Sequence, residues 1–317
     1  MERQVLKHLA MLARKALCAA AAVAMLSACG GGGGGASAPD PSQYTGPAAR
    51  ASINTANAVA FTTDAFAAGS IGSSTNVVDV VASKAVDGTT ITLPELAAQL
   101  QGSVARGLAQ KAKAARALAG ATSSTIHGAV AGSASMMLDL QTTGDFTGKV
   151  TLDKFQETAG GPTISGTVTV TGHYNEITGR YDSMALVCSP LSATTSTGTT
   201  NVYGSFVFSN EGTNEVLKLS CTLNSSGKTY WIKDWTYTFS PDNFMTITGV
   251  YYHPSYGYAE ITTPTRLTVS SLSGSPTAGV FQAAGAHCSK ARLTFSATGS
   301  LVTAIGGDNQ NLEVCSD

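Results

Sequence analysis

The sequence predicts a mainly β protein with an N-terminal helical segment, its strands forming an antiparallel meander curled into a barrel, a half-barrel or a sandwich. Three observations carry this. After about Thr125, aliphatic and hydroxyl side chains alternate, as where Ile164, Val168 and Val170 interleave with Thr163, Ser165, Thr167, Thr169 and Thr171. Period two is the mark of a strand with one buried and one wet face. The alternating runs are joined by short turn sequences such as Thr143-Gly144-Asp145, Asn224-Ser225-Ser226-Gly227 and Ser240-Pro241-Asp242-Asn243, which suit hairpins and are too short for parallel crossovers. Before Thr125 the chain is Ala-rich and its apolar period is helical.

Composition narrows the function classes. Only 12% of the 317 residues are charged, against about 25% in an ordinary soluble domain, so Ser, Thr and Asn must keep the surface wet. With 19 Lys+Arg against 20 Asp+Glu and no basic block, the chain lacks the clustered cations that phosphate binding needs, and nucleic acid is not expected as a partner.

Residues 1–28 read as an export signal. Arg3, Lys7, Arg14 and Lys15 precede an apolar run from Ala16 to Met25, too short for a bilayer core that takes about 20 residues to cross. The run ends in Leu26-Ser27-Ala28-Cys29-Gly30, which resembles the lipobox of bacterial lipoproteins. The resemblance covers residues 1–29 only. It implies that the Cys29 thiol receives a diacylglyceryl group, that the chain is cut before Cys29, and that the new amino terminus is acylated. More than one acyl chain is what makes membrane anchoring stable. In lipoproteins of Gram-negative bacteria an aspartate after the cysteine is a common inner-membrane retention signal; Gly30 stands there, which implies the outer membrane. Without the signal, 15 Lys+Arg stand against 19 Asp+Glu, a formal charge of −4, so no attraction to anionic lipid is expected.

Residues 29–52 are expected to be the lipid anchor and a flexible linker, six consecutive glycines leading into an Ala/Ser/Pro stretch. No Lys-Ser or Lys-Thr follows the glycines, so they are not a phosphate loop. Residues 53–124 form the helical segment. Thr92-Leu93-Pro94-Glu95 is a capping-box signature, and Leu96, Leu100, Val104 and Leu108 then recur every four residues, with Leu118 extending the stripe. This predicts an amphipathic helix of about 25 residues packed on the sheet. Shorter helices are expected over Ala56–Ala67 and Val77–Val86.

Residues 125–317 are the β domain, with roughly eleven to thirteen strands by turn spacing. Thr169-Val170-Thr171-Gly172-His173-Tyr174 and Thr246-Ile247-Thr248-Gly249-Val250-Tyr251 share one pattern 77 residues apart. Four cysteines remain besides Cys29: Cys188, Cys221, Cys288 and Cys315. An even count in an exported chain favours disulfides; of three pairings, Cys188 with Cys221 and Cys288 with Cys315 are expected. In a simple meander the first pair lies two strands apart, nearly 10 Å, whereas a disulfide needs Cα atoms within about 7 Å, so that pairing requires the sheet to bend.

No catalytic constellation is assembled in the sequence. His127, His173, His253 and His287 share no metal-type spacing, there is no Gly-x-Ser-x-Gly elbow, and Asp308-Asn309-Gln310-Asn311 lacks the acidic density of a calcium loop. No catalytic residue, metal or cofactor is expected. Asp182, Glu215 and Glu260 are candidate carboxylates whose separation would decide a glycosidic mechanism.

One cluster is a candidate binding site: Trp231, Trp235, Tyr237, Tyr251, Tyr252 and Tyr256. Strict alternation puts Trp231, Lys233, Trp235, Tyr237 and Phe239 on one face. They either fill the core of the sheet or form an aromatic platform for sugar rings or an acyl chain, and Lys233 among them favours partial exposure. As a platform, both tryptophans would tolerate alanine without loss of the fold. The expected function is a non-enzymatic binding or envelope-scaffold module tethered to the outer membrane, holding an apolar ligand, a lipid or a glycan; a surface or periplasmic hydrolase is the alternative. The expected partner is the membrane, through the N-terminal lipid.

Overall fold

The computed structural model describes residues 43–69, 93–114 and 120–305, apart from 158, 160, 176–179, 196–197, 226, 271–275 and 297–298. Alternation becomes thirteen strands: β1 (Gly120–His127), β2 (Ala131–Leu140), β3 (Asp145–Gln156), β4 (Thr163–Asn175), β5 (Arg180–Thr195), β6 (Gly198–Glu211), β7 (Asn214–Ser225), β8 (Lys228–Phe239), β9 (Phe244–His253), β10 (Gly257–Val269), β11 (Pro276–Ala284), β12 (Lys290–Ser296) and β13 (Gly299–Ile305). They form one antiparallel sheet in which every strand pairs with its sequence neighbours, an open meander. The first strand begins at Gly120, a few residues before the change of period near Thr125.

Among the described residues, two helices precede the sheet: α1 (Ala58–Gly69) and α2 (Leu93–Ala114). Asn54 starts α1 with a reciprocal cap: its Oδ1 accepts the Asn57 N–H at 3.3 Å, and its own N–H donates to Asn57 Oδ1 at 2.9 Å. The four-residue stripe of α2 is buried as its spacing predicts, with Leu96, Leu100, Val104 and Leu108 at most 2% exposed. The expected helix over Val77–Val86, the cap at Thr92 and the stripe extension at Leu118 lie outside the described residues.

Both helices lie on one face of the sheet and share a single core with it. Phe66 of α1 meets Phe281 of β11 and Phe295 of β12 at 5.2 and 5.0 Å. At the other end, Gly107 of α2 lies against the Met136 side chain of β2, and Arg106 bonds Glu157 just past β3. The sheet is thus curled around its helices, with both ends of the meander drawn onto them.

Local faults in the strands produce the curl. One strand gains an extra residue against both neighbours at Lys154 in β3, beside Ser189-Pro190 in β5 and at Asp234 in β8, and Lys154 and Asp234 have φ of 48° and 51°. Such bulges bend a strand and raise its twist. Glycines accept the resulting close approaches: a Cβ on Gly204, beside the β5 bulge, would lie 2.1 Å from the Ser220 carbonyl oxygen, and one on Gly249, beside the β8 bulge, 2.7 Å from Trp235 Cα.

The expected Cys188–Cys221 disulfide is corrected. Both are free, buried thiols. Cys188 pairs with Gly204, which pairs with Cys221, so β6 runs between them and two strand spacings put their Cα atoms about 10 Å apart, beyond disulfide reach. Burial pushes the Cys188 thiol well above its ordinary range and the Cys221 thiol up to about 12. Cys315 lies outside the described residues.

Candidate functional site

The Asp234 bulge divides the aromatic cluster. Because β8 carries one extra residue against both β7 and β9 at this point, the side-chain parity reverses there. Tyr230 and Ile232 point inward before it, and Trp235 and Tyr237 after it; Trp231 and Lys233 are left on the outer face, half-buried. The single face read from strict alternation is therefore two faces. Trp235, Tyr237 and Tyr251 are fully buried, with Trp235 6.4 Å from Phe281 and Phe61 edge-on to Tyr251 at 5.6 Å. Burial, more than any neighbour, raises the Tyr237 and Tyr251 phenols well above their usual range. These three are core, and a ligand meets none of them.

On the outer face the register builds a row across five strands: Tyr203 of β6 pairs with Thr222 of β7, Thr222 with Trp231 of β8, Trp231 with Tyr252 of β9, and Tyr252 with Tyr258 of β10. Trp231 and Tyr252 stack at 4.4 Å with 25° between planes, and Tyr258 follows at 5.1 Å. Lys233 Nζ lies 5.6 Å from the Trp231 ring centroid. Trp231 and Tyr252 thus stand face to face with Tyr258 tilted beside them, and the Trp231 indole nitrogen is buried without a partner.

The segment entering the fold is fastened to this row. The Tyr44 hydroxyl donates to the carbonyls of His253 at 2.8 Å and Pro47 at 3.0 Å, and its ring meets Tyr252 edge-on at 5.3 Å. Burial first, and Tyr252 second, raise its phenol to about 12. The Ala51 N–H then donates to the Tyr258 carbonyl and the Ile53 N–H to Ser289 Oγ. Residues 43–53, read from composition as mostly linker, are part of the folded body.

Beside Tyr44, the Thr222 hydroxyl donates to Gln43 Oε1 at 2.8 Å. Gln43, Tyr203, Asn224 and Thr229 line an open groove of about 290 Å³. Its lining is uncharged and carries two amides, a hydroxyl and a phenol, a set that donates and accepts hydrogen bonds without selecting a charge. None of these four was read as a site residue from the sequence. The one available signal was a lone aromatic, Tyr44, in a stretch otherwise made of small and polar residues.

Tyr256, the last expected site residue, is 39% exposed in the β9–β10 turn and stacks on His253 at 4.4 Å. His253 Nε2 lies 3.3 Å from Asp64 Oδ2, and its Nδ1 accepts the Ser255 N–H at 3.0 Å. Both ring nitrogens are occupied, so this histidine has no free site to take a nucleophile's proton, and the pair works as a clasp between α1 and β9. Asp182, Glu215 and Glu260 do not converge: Asp182 is near His173 on β4, Glu215 lies at the start of β7, and Glu260 of β10 bonds Arg50 at 3.0 Å. Among the described residues, no group of three or more His, Cys, Asp or Glu side chains could hold a metal ion, and no helix is long and apolar enough to cross a membrane. Comparison with protein-family models, curated proteins and solved structures found no match to this chain.

Proposed function

We propose that this chain is a lipoprotein anchored through Cys29 in the outer membrane, and that its sheet serves non-enzymatically as a binding module for a neutral glycan. The observation that carries the ligand class is the groove between Gln43, Tyr203, Asn224 and Thr229, which offers amides and hydroxyls with no charge in its lining. A polyhydroxylated, uncharged ligand matches that inventory, and a volume of about 290 Å³ is at the small end of ligand sites, suited to one or two sugar rings rather than to an acyl chain. An apolar cargo is disfavoured by the inner face, where α1 and α2 pack into the same core as the strands. The lipid anchor is supported by the lipobox-like Leu26-Ser27-Ala28-Cys29, and a Cys288–Cys315 disulfide in an exported chain belongs to the same reading.

The test is isothermal titration of the chain with neutral and charged oligosaccharides. A neutral one is expected to bind, and Tyr203→Ala and Asn224→Ala to weaken it about tenfold, or ~1.4 kcal/mol, with melting temperatures little changed. Absence of binding across the neutral set, or equal binding by both variants, would reject the glycan reading.

A further inference from the structure

We infer that the outer-face row of Tyr44, Trp231, Tyr252 and Tyr258 is a seat on the headgroup layer of the membrane that holds Cys29. The inference rests on the anchoring half of the proposed function and not on the glycan half. Its first support is where the tether ends. Cys29 through Ser42 is 14 residues, which fully stretched reach at most about 50 Å, and the chain enters the fold at Gln43 and Tyr44, against this row. The anchor is therefore joined to the folded body at this row, on the outer face of the sheet.

The second support is the chemistry of the row. Trp231 stacks on Tyr252 and Tyr258 is tilted against Tyr252, so the two tyrosines present ring edges with phenol groups while the Trp231 indole nitrogen is buried, and all three rings are half-buried. Amphipathic ring edges of this kind are the side chains that settle at the headgroup level of membranes. Charge adds little: Lys233 lies over Trp231, Arg50 is paired with Glu260, and the chain beyond the signal carries a net formal charge of −4. The contact is consequently aromatic and insensitive to salt. It is also too small to hold a free protein, but a tether of this length keeps the membrane at millimolar effective concentration, where a weak patch is enough.

The two tryptophans make this measurable, because Trp231 lies on the outer face and Trp235 is fully buried. The full lipidated chain is placed on phosphatidylcholine/phosphatidylglycerol vesicles, with and without brominated phosphatidylcholine, and tryptophan emission is read. The expected result is quenching by the brominated lipid, unchanged by added salt and lost in Trp231→Phe, whose remaining Trp235 is shielded. If the chain floats with the vesicles and its emission is the same with and without bromine, the seat is refuted while the anchor stands. If the chain does not float with them, anchor and seat fall together. Should emission ignore the brominated lipid and respond instead to a neutral oligosaccharide, the row belongs to the glycan site and the seat is again refuted.

Discussion

Cys188 and Cys221 face one another across Gly204 and remain thiols. The roughly 2–4 kcal/mol that a bridge would contribute is therefore missing here, and core packing must supply the stability instead. A thiol reagent is expected to find neither group in the native protein, because both are buried and protonated, and to find both once the chain is unfolded without reductant. No reactive thiol after unfolding would restore the bridge. The two tryptophans should also part company. Trp235→Ala empties a fully buried site and should cost ~3–5 kcal/mol in denaturant unfolding, whereas Trp231→Ala removes one member of an outer stack and should cost ~1 kcal/mol. This replaces the expectation that both would be tolerated. Tyr44 gives a pH signature. Its folded phenol, near 12, lies above the ordinary value near 10, so the folded state binds the proton more tightly. Its contribution to stability is complete below pH 10 and is lost as pH rises through about 12. Tyrosinate absorbance of the native protein should show that late step, and Tyr44→Phe should remove it.

Whole elements were the most legible part of the sequence. Alternation marked the strands, a four-residue stripe marked α2, and short turns forced antiparallel pairing, because each is a repeated signal summed over many residues. The faults were not legible. A bulge is a single residue, and the two successive polar residues Lys233-Asp234 are too slight a break in the alternation to fix it until the partner strands show the extra position. That one residue split the expected binding cluster between core and surface. The Asp64–His253 clasp joins residues 189 positions apart, and the groove is assembled from β6, β7, β8 and the entering segment, so neither has a local pattern to read. Replacing Asp234 by valine should therefore be worse than replacing it by glycine, which accepts φ near 51° freely. Asp234→Val puts a β-branched side chain in the left-handed region and should lose about 1–2 kcal/mol in denaturant unfolding, while Asp234→Gly should unfold within about 1 kcal/mol of the parent. Equal stability of the two variants would show that β8 does not carry the bulge.

At the scale of the molecule, an open thirteen-stranded sheet is curled onto α1 and α2 and leaves one face, rich in Thr, Ser and aromatic side chains, toward its surroundings. Filling the inner face limits what the protein can do with it, and moves recognition to the outer face, where the entering segment helps to build both the groove and the aromatic row. The proposed anchor, glycan groove and membrane seat all depend on how that entering segment is held from its other end. The most direct measurement is the intact mass of the protein recovered from outer-membrane fractions, with its N-terminal peptide sequenced. The account predicts a chain beginning at Cys29 that carries diacylglyceryl and amide-linked acyl groups, and loss of both mass and membrane fractionation in Cys29→Ser. A chain with an unmodified Cys29, released from cells without detergent, would contradict it.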